Sequence, residues 1–257
     1  MIITTTELNK ILNEQNLVLI DTRSFKDYSE GHIIGAINLD LFAFHWFDTS
    51  KKGIENFNYQ TTDLFSFVGI TSEKKVVFYD DVSGILAARG VWMLQYFSHP
   101  NAFMLDGGFQ KWTNENLPTE TKTNLFKQEK FSGKTNNEIL VGYEYIKDNL
   151  DRIKLVDART KEEFNGTVVR AAQKGHIPGA INVDWEKNIK PNGTFKEENE
   201  LEKLYPFSKE DEIVTYCQGA YRAANTFVAL KKLGFKNVRV YLGSWGEWGN
   251  RLDLPVV

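Results

Sequence analysis

The chain shows the same order of apolar and polar segments twice. Each copy begins with a segment of helical pattern, TTELNKILNE in the first and VGYEYIKDNL in the second. Short apolar strands follow, LVLID or IKLVDA and later VVFYD or IVTYC, and each later strand runs into another helical segment. Short apolar strands that alternate with helices are typical of a mostly parallel sheet covered on both faces. The pattern predicts an α/β fold.

Matching motifs show that the two copies are a duplication. Residues 17–23, LVLIDTR, recur as IKLVDAR, and residues 31–38, GHIIGAIN, recur as GHIPGAIN. Asp157 follows Asp21 by 136 residues, which is too long for a solenoid repeat and fits a duplicated domain. We therefore predict an N-terminal domain over 1–118, a C-terminal domain over 139–257, and a polar segment over 119–138 between them. That segment is either a linker or an ordered strap across the domains.

Composition and charge narrow the class of protein. The 257 residues include 31 Lys and Arg against 34 Asp and Glu, so a net charge of −3 offers no field for nucleic acid or anionic lipid. No apolar run is long enough to span a membrane, and the N-terminus lacks a secretion signal. The single cysteine forms no internal disulfide and belongs to no zinc-binding set. We expect a cytoplasmic protein with a reduced thiol, no metal or cofactor, and no nucleic-acid or membrane partner.

Cys217 is the candidate catalytic residue. It ends a predicted strand, and the segment TYCQGAYR places a short loop and then a helix near Arg222 directly after it. Ligands of open α/β sheets bind at the carboxyl ends of strands, where loop N–H groups and a helix N-terminus attract anions. Such surroundings lower the pKa of a thiol and favour the reactive thiolate. The ordinary alternative for a lone cysteine is a buried structural role. Asp80 takes the equivalent position in the first copy and cannot carry a sulfur atom.

The D-x-R, GHIxGAIN, cysteine-loop and GSWGEW segments resemble those of tandem-domain rhodaneses over nearly the whole chain. The resemblance implies two rhodanese-like domains, each a mostly parallel sheet flanked by helices, with the catalytic cysteine in the second. It also implies a sulfurtransferase in which Cys217 carries a persulfide between a small anionic sulfur donor and a thiophilic acceptor. We expect the donor to be bound by the loop residues Gln218, Gly219, Ala220, Tyr221 and Arg222.

Loop length and composition separate the candidate reactions. The C-x4-R spacing from Cys217 to Arg222 is shorter than the C-x5-R loop of related phosphatases, which disfavours phosphate chemistry. The loop CQGAYRA is similar to that of bacterial thiosulfate sulfurtransferases. Enzymes of the family that use 3-mercaptopyruvate take two arginines from the segment before GHIPG. Here Arg170 matches one, and Glu163 stands in the other place and would repel a carboxylate. Thiosulfate is the favoured donor, with 3-mercaptopyruvate and a protein-to-protein persulfide carrier as alternatives.

Several other residues have a structural interpretation. The D-x-R pair and the histidine of the GHIxG motif occur in both copies, including the copy without a cysteine, so we expect them to hold strand ends and turns. In the second copy they are Asp157, Arg159 and His176. Trp46 and Phe47 line a pocket at the domain interface or pack in a core, and Trp245 and Trp248 pack around the last glycine turn.

Overall fold

A computed structural model describes residues 1–257, which form two compact units. Each unit includes a short segment of the other sequence repeat. The first unit consists of Met1–Phe44, Asn58–Thr135 and Ile189–Phe195, and the second of His45–Phe57, Asn136–Asn188 and Lys196–Val257.

The first repeat builds a five-stranded parallel sheet in the order β1-β6-β5-β2-β4, while β3 and β7 form a separate antiparallel pair. Its strands are β1 (Ile2–Ile3), β2 (Leu17–Asp21), β3 (His32–Ile33), β4 (Ile37–Asn38), β5 (Lys75–Tyr79), β6 (Ala102–Leu105) and β7 (Thr119–Glu120). Its helices are α1 (Thr5–Ile11), α2 (Phe25–Glu30), α3 (Lys51–Phe67), α4 (Ile85–Tyr96) and α5 (Gly108–Asn114), with a 3-10 turn at Leu41–Ala43.

The second repeat builds a sheet of the same topology, in the order β8-β12-β11-β9-β10 with every pair parallel. Its strands are β8 (Leu140–Val141), β9 (Lys154–Asp157), β10 (Ala180–Asn182), β11 (Glu212–Tyr216) and β12 (Asn237–Tyr241). Its helices are α6 (Tyr143–Asp148), α7 (Lys161–Phe164), α8 (Glu198–Leu201), α9 (Tyr221–Lys232) and α10 (Ser244–Trp248), with 3-10 turns at Trp185–Asn188 and Glu202–Leu204. The predicted α/β fold with two parallel sheets is confirmed.

The central strand of the second sheet is β11, which pairs with β9 on one side and β12 on the other. Its apolar residues are buried because helices cover both faces of the sheet. The side chains of Trp245 and Trp248 are almost fully buried in the same core, as expected of residues around the last glycine turn. None of the ten α-helices combines the length and the apolar character that crossing a bilayer requires.

The D-x-R motif forms the same buried ion pair in both repeats. The Arg159 guanidinium lies 2.6 Å from Asp157 and donates a hydrogen bond of 2.8 Å to the carbonyl of Gly175. Arg23 makes the equivalent contacts with Asp21 and the carbonyl of Gly31. A buried pair that also binds a backbone carbonyl fixes the strand end to the GHIxG turn, which is the structural role expected from its repetition.

The segment between the repeats is ordered on the first unit as far as Thr135. Asn124 donates hydrogen bonds to the hydroxyl of Tyr28 and the carbonyl of Ala36, and Phe131 is buried against Phe65 and Phe97. The boundaries drawn from sequence, 1–118, 119–138 and 139–257, therefore differ from the compact units. A polar segment with little periodicity gives no local sign of these long-range contacts.

Candidate active site

Cys217 lies at the carboxyl edge of the second sheet, directly after the last residue of β11. It is a free cysteine and only 1% of it is exposed. Helix α9 begins at Tyr221, one residue before the predicted start, and Ala220 is its N-cap residue. The thiol therefore lies at the base of a short loop that leads into the N-terminus of a helix, where the positive end of the helix dipole favours a negative charge.

The backbone of this loop is held by Ser244, a residue that sequence analysis did not single out. The Ser244 hydroxyl accepts hydrogen bonds from the N–H groups of Cys217 and Ala220, at 3.2 and 3.0 Å, and donates one to the carbonyl of Tyr241. The N–H of Trp245 donates to the carbonyl of Cys217 at 2.8 Å. The Ala220 N–H thus helps to shape the loop.

Two non-glycine residues at the loop have left-handed backbone conformations. Ala220 has a φ of 66° and Ser244 a φ of 52°. Such a conformation costs on the order of 1–3 kcal/mol and persists only where surrounding contacts hold it. Here the hydrogen bonds of the Ser244 hydroxyl supply that restraint.

In the first repeat, the position equivalent to Cys217 is held by the carboxyl group of Asp80. The Asp80 carboxylate accepts hydrogen bonds from the N–H groups of Gly84, Leu86 and Ala87, at 3.0, 3.1 and 3.3 Å. Burial raises the pKa of Asp80 to about 7, against the opposing effect of these three N–H groups. The donors are the N-cap, second and third residues of α4. The counterparts of the last two in α9 are Arg222 and Ala223, whereas the N–H of the N-cap residue Ala220 donates to Ser244.

Arg222 and Arg170 share one buried carboxylate, that of Glu163. Arg222 donates to it from both terminal nitrogens, at 2.5 and 3.1 Å, and the Arg170 Nε lies 3.2 Å from it. Burial acts to raise the pKa of Glu163, but the hydrogen bonds and charge of Arg222 outweigh it and hold that pKa below its usual value. Glu163 was expected to repel an anionic substrate; the structure corrects this, because two guanidinium groups compensate its charge.

Arg222 also lies near enough to Cys217 for the two groups to interact electrostatically. Burial acts to lower the pKa of the Arg222 guanidinium, but its hydrogen bonds with Glu163 and the charges of Cys217 and Glu163 raise it overall. Arg222 therefore interacts with both Cys217 and the carboxylate of Glu163.

The remaining loop residues contact other parts of the second unit. Gln218 donates from Nε2 to the carbonyl of Arg170 at 3.2 Å, and the Tyr221 hydroxyl lies 3.3 Å from Nδ1 of His45. A Cβ on Gly219 would lie 3.3 Å from the Phe47 ring, so a larger residue there would require a small movement of that ring.

Phe47 lies over the glycines of this site. A Cβ on Gly246 would lie only 2.2 Å from Cε1 of Phe47 and 2.8 Å from the carbonyl oxygen of Gln218, so a side chain at that position would displace the Phe47 ring. The exposed fraction of Phe47 is 41%, and the ring therefore borders the loop at the surface of the unit. Trp46 instead donates to the carbonyl of Asp48 and packs near Phe57.

A family model of the rhodanese-like domain matches residues 4–115 and again 143–251. The chain belongs to the rhodanese family. A thiosulfate sulfurtransferase of Azotobacter vinelandii is 32% identical over 100% of this chain and 96% of its own length. The sulfur carrier protein TtuD of Thermus thermophilus is 32% identical over 89% of this chain and 86% of its own length.

A solved structure agrees with the assignment to the rhodanese family. SseA from Escherichia coli, described as a 3-mercaptopyruvate sulfotransferase, superposes with a TM-score of 0.80 at 25% identity, covering 95% of this chain and 98% of its own. With these relatives, this rhodanese is an enzyme of the sulfurtransferase class.

Proposed function

We propose that this rhodanese transfers the outer sulfur of thiosulfate to a thiophilic acceptor, cyanide or a thiol, through a persulfide on Cys217. The observation that carries the proposal is the position of Cys217 between the end of β11 and the N-terminus of α9, within reach of the charge of Arg222. A thiolate, a persulfide and an anionic donor are all stabilised at such a position. The carboxylate of Asp80 occupies the corresponding position in the silent repeat.

The reaction balances in two steps. In the first, the Cys217 thiolate attacks the outer sulfur of thiosulfate, the sulfur–sulfur bond breaks, and sulfite leaves with the bonding electron pair. In the second, the carbon of cyanide attacks the outer sulfur of the persulfide, and thiocyanate leaves while the thiolate is restored. Covalent catalysis of this kind produces ping-pong kinetics.

Relatives support thiosulfate as the donor. Those of Azotobacter vinelandii and Pseudomonas aeruginosa, matched over 100% of this chain, are named thiosulfate sulfurtransferases. Of the two arginines that pair with Glu163, Arg170 alone has a largely exposed side chain, which also favours thiosulfate. A clamp for both the carboxylate and the keto oxygen of 3-mercaptopyruvate needs more than one such cation.

Two alternatives have support of their own. The similarity to SseA favours 3-mercaptopyruvate as the donor. The similarity to the sulfur carrier protein TtuD favours a carrier that passes its persulfide to a protein.

The burial of Cys217 favours slender acceptors such as cyanide or a small thiol.

The decisive experiment measures kcat/KM for thiosulfate and 3-mercaptopyruvate with cyanide as the common acceptor. We expect thiosulfate to be used at least about tenfold more efficiently, which is about 1.4 kcal/mol of differential transition-state binding. Mass spectrometry after exposure to donor should show one added sulfur atom, and it must lie on Cys217 because the chain has no other thiol.

Cys217→Ser is the control, since a hydroxyl forms no persulfide. Substantial turnover by this variant would overturn the persulfide mechanism. A higher kcat/KM with 3-mercaptopyruvate would overturn the donor assignment, and a stable persulfide without turnover on either donor would favour the carrier.

A further inference from the structure

Glu163 connects three parts of the second unit at the active site. Its carboxylate accepts hydrogen bonds from Arg222 in α9 and from the backbone N–H of Thr160 at the start of α7, and it forms an ion pair with Arg170 in the segment that follows α7. The residue is 2% exposed. A buried carboxylate is retained only where its charge and its lone pairs are satisfied, and here three groups satisfy them.

The pairing determines what Arg222 offers to a substrate. Both of its terminal nitrogens donate to Glu163, and 16% of its side chain is exposed. A bidentate pair of a guanidinium with a carboxylate has a fixed geometry as well as a strong charge-assisted interaction. Arg222 therefore stays at one place beside Cys217 with its charge compensated.

Arg170 is held differently. Its Nε lies 3.2 Å from Glu163, and 60% of its side chain is exposed. Its backbone carbonyl accepts a hydrogen bond from the Gln218 side chain of the catalytic loop. The guanidinium of Arg170 is therefore the cation that an anion approaching from solvent meets first, and its orientation depends on Glu163.

We propose that Glu163 is a positioning residue for sulfur transfer, which holds Arg222 and Arg170 on one carboxylate and thereby sets the charge that an anionic donor meets beside Cys217. The two arginines and Glu163 together present one net positive charge in place of two. The inference rests on the proposed function. It also assigns a role to a residue whose sequence position suggested only an obstacle to substrate binding.

Removal of the Glu163 charge should therefore strengthen the binding of anions and slow turnover. Without the Glu163 charge, the site binds any small anion more tightly in a way that does not distinguish ground state from transition state. The arginines also lose their fixed positions, and correct placement of charged groups is what accelerates the chemical step. A residue that only stabilised the fold would lower activity without strengthening the binding of anions.

The test compares Glu163→Gln with Glu162→Gln, an adjacent exposed glutamate whose replacement changes the net charge by the same amount. The probe is inorganic sulfate as an inhibitor of thiosulfate turnover. For Glu163→Gln we expect a sulfate inhibition constant about fivefold lower, a lower KM for thiosulfate, and kcat reduced about tenfold. Glu162→Gln should match the wild-type protein.

Glu163→Asp separates charge from position. It keeps the negative charge on a shorter side chain, so we expect wild-type inhibition by sulfate together with a reduced kcat. Should glutamine at position 163 prevent folding, Arg170→Met at an exposed side chain replaces it as the probe. Loss of that cation should weaken inhibition by sulfate about tenfold.

Unchanged inhibition by sulfate in Glu163→Gln, or in Arg170→Met if the former does not fold, would overturn the inference. If the wild-type protein does not turn over thiosulfate, the proposed function fails by itself. The inference is then tested by calorimetric titration of sulfate into the same variants.

Discussion

The carboxylate of Glu247 accepts two hydrogen bonds from Thr49, one from the backbone N–H at 2.8 Å and one from the hydroxyl at 2.5 Å. Tyr241 donates a third at 2.8 Å. Burial raises the pKa of Glu247, although the hydrogen bonds of Thr49 and Tyr241 oppose the rise. Thr49 belongs to the segment His45–Phe57, whose Phe47 borders the catalytic loop. This contact anchors that segment to α10.

Thr49→Val should therefore reduce both stability and activity. Valine keeps the shape and the backbone N–H of Thr49 but removes the hydroxyl, which leaves part of a buried carboxylate without its donor. We expect the free energy of unfolding to fall by about 1–3 kcal/mol, measured by urea denaturation. We also expect a lower kcat/KM because Phe47 is less firmly held.

Thr62→Val is the matched control, since that hydroxyl only bonds the carbonyl of Asn58 within α3. Equal losses of activity in the two variants would contradict the prediction.

Ser244→Ala should loosen the catalytic loop. The hydroxyl restrains the N–H groups of Cys217 and Ala220, and the substitution leaves both without their acceptor. We expect a loss of about 1–3 kcal/mol in stability and a decrease in kcat. Ser83→Ala is the control, because Ser83 is a buried serine that bonds Asp106 and Gly107 in the silent repeat. It should destabilise the protein and leave sulfur transfer unchanged. If both variants kept full activity, the restraint by Ser244 would be irrelevant to catalysis.

Asp80 should make stability depend on pH. Its pKa is about 7 in the folded chain, mainly because of burial, against an ordinary value of 3.8. Between these values the folded chain binds the proton and the unfolded chain does not. The contribution of Asp80 to the free energy of unfolding is therefore fully present below about pH 4. It is lost as the pH rises toward 7, by up to roughly 4 kcal/mol.

Asp80→Asn stays neutral and should remove this dependence. We expect it to unfold at a higher urea concentration than the wild-type protein at pH 8, and to differ little from it near pH 4. Asp63→Asn, at an exposed residue of α3, is the control. If the stability of Asp80→Asn changed between pH 4 and pH 7 as much as that of the wild-type protein, the titrating group would not be Asp80.

The C-terminal repeat should not suffice for activity. Residues 139–257 alone lack the segment His45–Phe57, which belongs to the second compact unit. Without it, Glu247 loses the two hydrogen bonds from Thr49, and Gly219 and Gly246 lose the cover of Phe47. We expect poor folding by circular dichroism and little turnover compared with the full chain. A soluble and fully active fragment would show that the first repeat is dispensable.

The sequence by itself determined the duplication, the α/β class and the position of Cys217. Each of these depends on local pattern: apolar strands alternate with helical segments, repeated motifs occur in both halves, and a strand residue precedes a helix start. Local pattern also predicted the structural role of Asp157 and Arg159, because the same pair occurs in the copy that lacks a cysteine.

Only the tertiary structure decided how distant side chains meet around the thiol. Glu163 pairs with Arg222 across 59 positions and Thr49 with Glu247 across 198. A carboxylate that looked unfavourable in the sequence became the partner of two arginines, and a segment of the first repeat joined the second unit. Such contacts leave no periodic signal, since they follow from the path of the folded chain and from the requirement that a buried charge be compensated.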